Sequence, residues 1–214
     1  MVLFHGSMIP MNAVSLPGLQ ILILAAGFSS RLGRPKALAR VRSVSLLRRT
    51  LILAARLGPS KIIVVLPRGA ARYRVEARGL NVVFVANPHR ADGLSSSVRR
   101  GIAHARHSPA LLLMPVDLAV VRQADMSRLI SHWRAARRSV VARRIGPHGG
   151  VPLILPRRLY ARALAVTGDI GLRELINGLP AKERVLVDLP SAALDVDTLQ
   201  DLSAARRCRC GVSL

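Results

Sequence analysis

The chain has 214 residues, 50% of them hydrophobic, enough to bury one well-packed core and short for two domains. Basic residues outnumber acidic ones 33 to 11, a formal net charge of +22, while aromatics make up only 3%. The excess points to anionic partners, but a dedicated nucleic-acid surface also needs stacking aromatics, which are nearly absent. Nucleic acid is therefore not expected as a partner. Lysine occurs only at Lys36, Lys61 and Lys182, and the arginines are scattered as singles and pairs such as Arg99-Arg100 and Arg143-Arg144. That is the pattern of a charged, solvated surface.

Residues 1–18 carry three methionines and lack the basic start and apolar core of a secretory signal. They are expected to be a disordered extension, with one domain over 19–205 and a flexible basic tail over 206–214. The two cysteines, Cys208 and Cys210, fall in that arginine-rich end, too few for a disulfide framework or a four-ligand zinc site. The longest apolar run, "ALLLMPVDLAVV", is too short to span a bilayer and carries Pro115 and Asp117. A cytoplasmic protein with no membrane contact is expected.

Strand-like runs are predicted at 21–24, 61–66, 81–86, 110–116 and 139–142, with helical patterns between them at 46–57, 70–78, 95–107 and 126–138. After about residue 145 the rhythm changes. "IGPHGGVPLILP" reads as a glycine-rich loop entering a strand at 151–155, followed by helices at 157–164 and 170–177 and a strand at 184–187. In the closing helix Thr198 is placed as N-cap, with Asp201 as the acidic arm of a capping box. Strands buried on both faces and alternating with helices indicate an α/β protein with a mostly parallel central sheet and helices on both faces. Ligands of such sheets bind at the carboxyl ends of the strands, at a topological switch point.

The residues after the strands are accordingly the informative ones. After the first comes "LAAGFSSRLGRPK", Leu24 to Lys36. Ala25, Ala26 and Gly27 allow a ligand close to the backbone, and Arg31 and Lys36 add a planar fork of donors and a point charge. A phosphate-holding loop and a flexible basic turn both fit that composition. After the fourth strand comes Asp117, a lone carboxylate that is costly unless solvated, paired or bound to a cation. Asp195 and Asp197 in "LDVDTLQDL" form a second acidic pair near the end of the chain. "ANPHRADGLSSSVRRGI" follows the third strand, with a tight turn at Gly93 and an expected N-cap with free amides at Ser95, Ser96 and Ser97. Asp169 is placed equally well as a helix cap or as a functional carboxylate. His104 and His107 lack a metal-binding frame and read as surface residues.

"LAAGFSSRLGRPKAL" resembles the L-A-A-G-x-S-x-R-x-G-x-P-K signature of MobA-like NTP transferases, which have a Rossmann-like, GT-A-type nucleotidyltransferase domain. The resemblance is nearest to the molybdenum cofactor cytidylyltransferase branch. "NPHRADGLSSSVRRGI", "LLLMPVDLAVV", the "GGVP" turn with "GDIGLREL", and "DVDTLQDL" resemble further segments of that branch in the same order, together covering about 21–202. The resemblance implies transfer of NMP, CMP from CTP in preference, to a phosphorylated small-molecule acceptor of the molybdopterin type, with release of pyrophosphate. It implies Arg31, Lys36 and Asp117 as catalytic residues. Leu24, Ala25, Ala26, Gly27, Arg31, Lys36, Gly93 and Ser97 would bind the nucleotide. Mg²⁺ is the implied cofactor, on Asp117 and Asp197 with Asp195 supporting, and a molybdoenzyme or maturation protein is an implied partner. The guanylyl branch has glycine where Ala26 stands, which favours CTP. Ala119 replaces a common proline, and Leu199 and Gln200 replace Pro-Glu, without removing a proposed ligand. Two alternatives remain: a sugar phosphate or other phosphorylated acceptor, and a basic nucleic-acid-binding protein on an inactive nucleotide-binding fold.

Overall fold

The apolar run at Ile21 is the middle of a nine-residue strand, β1 (Leu16–Leu24), in a computed structural model that describes residues 3–4, 7–8, 16–168 and 171–208. Ile21, Leu22 and Ile23 are all fully buried, because β1 has a packed layer on each face. Leu19, Ile21 and Ile23 face one hydrophobic cluster, while Leu22 and Leu24 face another. The period-2 alternation thus divides one strand between two cores.

The remaining strands of the central sheet are β2 (Pro59–Pro67), β3 (Val83–Asn87), β4 (Ala110–Pro115), β5 (Val140–Ile145), β6 (His148–Pro156) and β7 (Arg184–Val187). Their order is β7-β5-β6-β4-β1-β2-β3. Every neighbouring pair is parallel except those of β6, which runs antiparallel to both β4 and β5. The cause is local: a tight turn with Gly146 at φ 58° joins β5 to β6, and a hairpin must reverse direction. β6 also begins three residues before its predicted start, since Gly149 and Gly150 pair with Arg144 and Arg143. Leu24 is paired with Val65 of β2 on one side and Pro115 of β4 on the other. The chain leaves β1 in both directions there, which makes the carboxyl ends of β1 and β4 the switch point.

Helices α1 (Leu46–Arg56), α2 (Ala71–Val75) and α4 (Gln123–Ala135) cover one face. Helices α3 (Leu94–Ala105), α5 (Tyr160–Ala165) and α6 (Gly171–Asn177) cover the other. α2 is shorter than its periodicity predicts, giving way to turns that reach Gly79 at φ 77°, a conformation that ends a helix. Helix α7 (Leu199–Arg207) has the predicted capping box: Thr198 Oγ1 accepts from Asp201 N at 3.2 Å, and Asp201 Oδ2 accepts from Thr198 N at 2.8 Å. α7 packs Leu202 and Ala205 beside Val196 and Leu32, which ties the end of the chain to the loop after β1.

Most of the expected N-terminal extension, along with Asp169 and Cys210, lies outside the described residues. Residues 16–18 belong to β1, and Arg206 and Arg207 to the last turn of α7. Among the described residues no helix is long and apolar enough to cross a membrane.

Candidate active site

The loop after β1 is still tied to the sheet at its first residue, where Ala25 N donates to Val65 O of β2 at 3.0 Å. It then folds back on itself. Ser29 takes φ 57°, uncommon for a residue with a side chain, and its Oγ accepts from Lys36 N at 2.9 Å. Gly33 at φ 68° completes the return. Lys36 is thereby brought back beneath Ala25–Gly27, facing the end of β4.

Asp117 stands just past β4. Its carbonyl accepts from Ala119 N at 2.9 Å and from Val196 N at 3.0 Å, and Leu118 forms an antiparallel bridge with Asp195. The distant segment 195–197 is therefore laid along the Asp117 loop through an isolated bridge. Val196 is fully buried, so Asp195 and Asp197 point the other way. Four predicted residues meet as a result. Lys36 Nζ lies 3.2 Å from Asp117 Oδ2 and 2.5 Å from Asp197 Oδ1, and Arg31 Nη2 lies 2.9 Å from Asp197 Oδ2. Asp195 is not with them: its Oδ1 is 3.2 Å from Arg143 Nη1 of β5.

Beside this cluster is a cleft of about 340 Å³, lined by Leu24, Ala25, Ala26, Gly27, Lys36 and Asp117, with Gly93 and Ser97 across from them. Arg31, Asp195 and Asp197 lie outside the lining. Gly93, at φ 81°, opens α3 and occupies the N-cap position that the serines were expected to fill. Nor are the amides of Ser95 and Ser96 free as expected, since Ser95 N donates to Gly168 O and Ser96 N to Gly93 O, both at 3.2 Å. The serine side chains are structural as well. Asn87 Nδ2 donates to Ser96 Oγ at 2.8 Å and to Ser97 Oγ at 3.0 Å, which pins α3 to the end of β3.

Sequence reasoning missed Phe28 and Arg90, which also line the cleft, with the Arg90 guanidinium 4.1 Å from the Phe28 ring centroid. Phe28 is 55% exposed, and an aromatic beside a glycine in a ligand loop was the available signal. Nothing in the sequence marked Arg143. His104 and His107 are exposed and away from the cleft, as expected of surface residues.

Burial pushes the Asp117 carboxyl above the usual range, the Lys36 ammonium pulls it back, and the Asp195 charge raises it again. Burial alone would lower the Lys36 ammonium, but Asp117 and Asp197 together outweigh it and hold it above its ordinary 10.5. Asp117 and Asp197 converge on one point, and that point holds a cation, the ammonium. Among the described residues no three acidic, histidine or cysteine side chains gather as a metal cage. Two converging carboxylates beside an open cleft do fit Mg²⁺, which binds through one or two carboxylates with phosphate oxygens completing its shell.

The chain matches the MobA-like NTP transferase domain over residues 21–206. Among solved structures it is similar to Rv0371c of Mycobacterium tuberculosis H37Rv, at 27% identity and a TM-score of 0.70, over 89% of this chain and 98% of that one. A second structure of that protein, at 25% identity and a TM-score of 0.69 over the same shares, is a complex with manganese. Among curated proteins the chain is 32% identical over 160 residues to a phosphoenolpyruvate guanylyltransferase of Conexibacter woesei, covering 67% of this chain and 65% of that protein. It is 29% identical over 125 residues to the bifunctional protein GlmU of Cupriavidus necator, 58% of this chain and 27% of that protein. The chain thus spans less than two thirds of either curated relative. Running from the middle of β1 to the last turn of α7, the matched domain takes in every loop around the cleft, and the chain belongs to the MobA-like NTP transferase family.

Proposed function

We propose that the protein transfers a nucleoside monophosphate from an NTP, CTP in preference, to a phosphate-bearing small molecule of the molybdopterin type and releases pyrophosphate. The observation that carries this reading is the meeting of Lys36, Asp117 and Asp197 at one end of a cleft walled by Ala25, Ala26 and Gly27. An acceptor phosphate is already anionic at neutral pH. Its oxygen forms the new bond to the α-phosphorus while the bond to the leaving pyrophosphate breaks in line with it. Such a step needs positioning and charge neutralisation more than a general base. Ala25–Gly27 let the nucleotide approach the backbone, with the buried methyl of Ala26 narrowing the wall toward the smaller base. Lys36 and Arg31 orient the triphosphate and offset charge on the departing group. Asp117 and Asp197 would hold Mg²⁺, which when bound supplies further neutralisation of the phosphates. The manganese complex of the related mycobacterial protein supports a divalent cation.

The molybdopterin-type acceptor, with a molybdoenzyme or its maturation protein downstream, is supported by the ordered motifs of the cytidylyl branch. A second reading, transfer of GMP to a small phosphate such as phosphoenolpyruvate, is favoured by the likeness to the guanylyltransferase of Conexibacter woesei. The two are separated by incubating the protein with each NTP, Mg²⁺, and molybdopterin, phosphoenolpyruvate or a sugar phosphate, and following pyrophosphate. Release with CTP and molybdopterin is expected. Turnover with GTP and phosphoenolpyruvate alone establishes the second reading, and no release with any pair removes both. Asp117→Asn should cost on the order of 10²–10³ in kcat with the circular dichroism unchanged. Unimpaired turnover takes Asp117 out of the site.

A further inference from the structure

Asp195 and Asp197 leave the same side of one short extended segment, two residues apart, yet meet different cations. Asp197 joins Lys36 and Arg31. Asp195 is close enough to Asp117 to push that carboxyl upward, but its own carboxylate is turned to Arg143. The two ends of that ion pair differ in freedom. The Arg143 side chain is 11% exposed and comes from β5, inside the sheet, whereas the Asp195 side chain is 50% exposed. An almost buried guanidinium has few alternative positions and is costly to leave unpaired. The fixed partner is Arg143, and it decides where Asp195 points.

We propose that Arg143 withholds Asp195 from the metal site, so that the site offers two carboxylates rather than three and takes a divalent cation only together with the phosphate oxygens of the nucleotide. This rests on the reading of Asp117 and Asp197 as the metal pair. Affinity of oxygen sites for hard cations rises with the number of charged ligands. A third carboxylate would let the cation bind before the nucleotide, against the Lys36 ammonium that now balances the pair. Arg143 acts through Asp195 and is a positioning residue, and Asp195 is assigned to Arg143 instead of to the metal.

Manganese binding, read from the electron paramagnetic resonance of the free ion, tests this without turnover. The wild-type protein should bind Mn²⁺ weakly alone and about tenfold or more tighter with CTP. Arg143→Met should bind Mn²⁺ alone about tenfold or more tighter than wild type, Arg143→Met with Asp195→Asn should return to the wild-type value, and Arg143→Lys should retain it. Equal affinity of Arg143→Met and wild type, or tight binding that survives in the double variant, overturns the proposal. Asp195→Asn alone, which leaves an oxygen for Arg143 and keeps the buried strand intact, guards against a misfolded Arg143→Met. With CTP it should bind Mn²⁺ within about twofold of wild type, and a loss of about tenfold makes Asp195 a ligand and overturns the proposal. If CTP recruits no Mn²⁺ to the wild-type protein, the metal pair itself is wrong and this inference falls with it. If CTP does recruit it and Arg143→Met behaves as wild type, only the inference falls.

Discussion

Lys36 lies between two carboxylates, with burial favouring the neutral amine and the carboxylates favouring the ammonium. The carboxylates win, and the folded protein holds the ammonium above 10.5. A base raised in the folded state contributes stability that is fully present below its unfolded pKa and is lost as pH rises through the folded one. The Asp117 carboxyl has also been raised, by burial, and an acid raised on folding has the opposite effect: its charge costs stability above the folded value, a cost relieved as pH falls. Lys36→Ala leaves Asp117 and Asp197 facing each other and should melt lower than wild type at neutral pH. As pH rises past 10.5 and through the higher folded value the wild type loses the same charge, so the difference between the two melting temperatures should close. A difference that persists unchanged through that range would make the contribution of Lys36 one of packing, not charge. Lys36 and Asp117 were legible because each follows a strand end within a recognisable segment. The Arg143–Asp195 pair was not, since it depends on β5 lying two strands from β4 and on the segment 195–197 returning to the Asp117 loop. Neither is written in local spacing. Arg90 was hidden for the same reason, as its contact with Phe28 joins the loops of β1 and β3, whereas Phe28 itself carried a local signal beside Gly27.

Between elements, the close contacts follow from small residues whose task local patterns do not reveal. Gly101 lies in the middle of α3, where glycine costs about 1 kcal/mol relative to alanine in helix propensity. It is tolerated because α3 lies directly on β1, and a methyl group at Gly101 would run into the methyl groups of Leu22. Overpacking of a dense core costs about 1–3 kcal/mol, so the net effect of Gly101→Ala should be destabilising even after the propensity gain. Urea unfolding measures it, and a more stable variant would mean that Leu22 can move aside. Buried apolar runs and helical stripes marked the strands and most helices to within a few residues, because each has its own period. The reversal of β6 was not legible, because a turn of Gly146 and Pro147 fixes direction only once β5 and β6 are known to be neighbours. The extra length of β1 was equally hidden, since Leu16 pairs with Pro59, more than forty positions away.

At the scale of the whole molecule, the unabsorbed feature is charge. Basic residues outnumber acidic ones 33 to 11, so the positive charge far exceeds what carboxylates can neutralise. Two opposing effects follow. Exposed ion pairs such as Arg31–Asp197, with the arginine side chain 71% exposed, each contribute about 0–1 kcal/mol and weaken as salt is added. The net charge of +22 repels itself over the whole surface, and salt weakens that as well, with a screening length of about 8 Å at physiological ionic strength. Eleven acidic residues against 33 basic ones means that screening should remove more repulsion than attraction. The melting temperature should therefore rise with sodium chloride. Any anion held by the folded state adds stability by mass action beyond screening, so sodium sulfate at matched ionic strength should raise it further. The same excess of positive charge should bind RNA weakly and without sequence preference, with an affinity that falls steeply with salt, and CTP binding should survive salt that abolishes RNA binding. A melting temperature that falls with sodium chloride would show that local pairs, not the global field, govern stability. RNA binding that outlasts CTP binding as salt rises would turn the functional reading from a small-molecule transferase toward a nucleic-acid-binding protein.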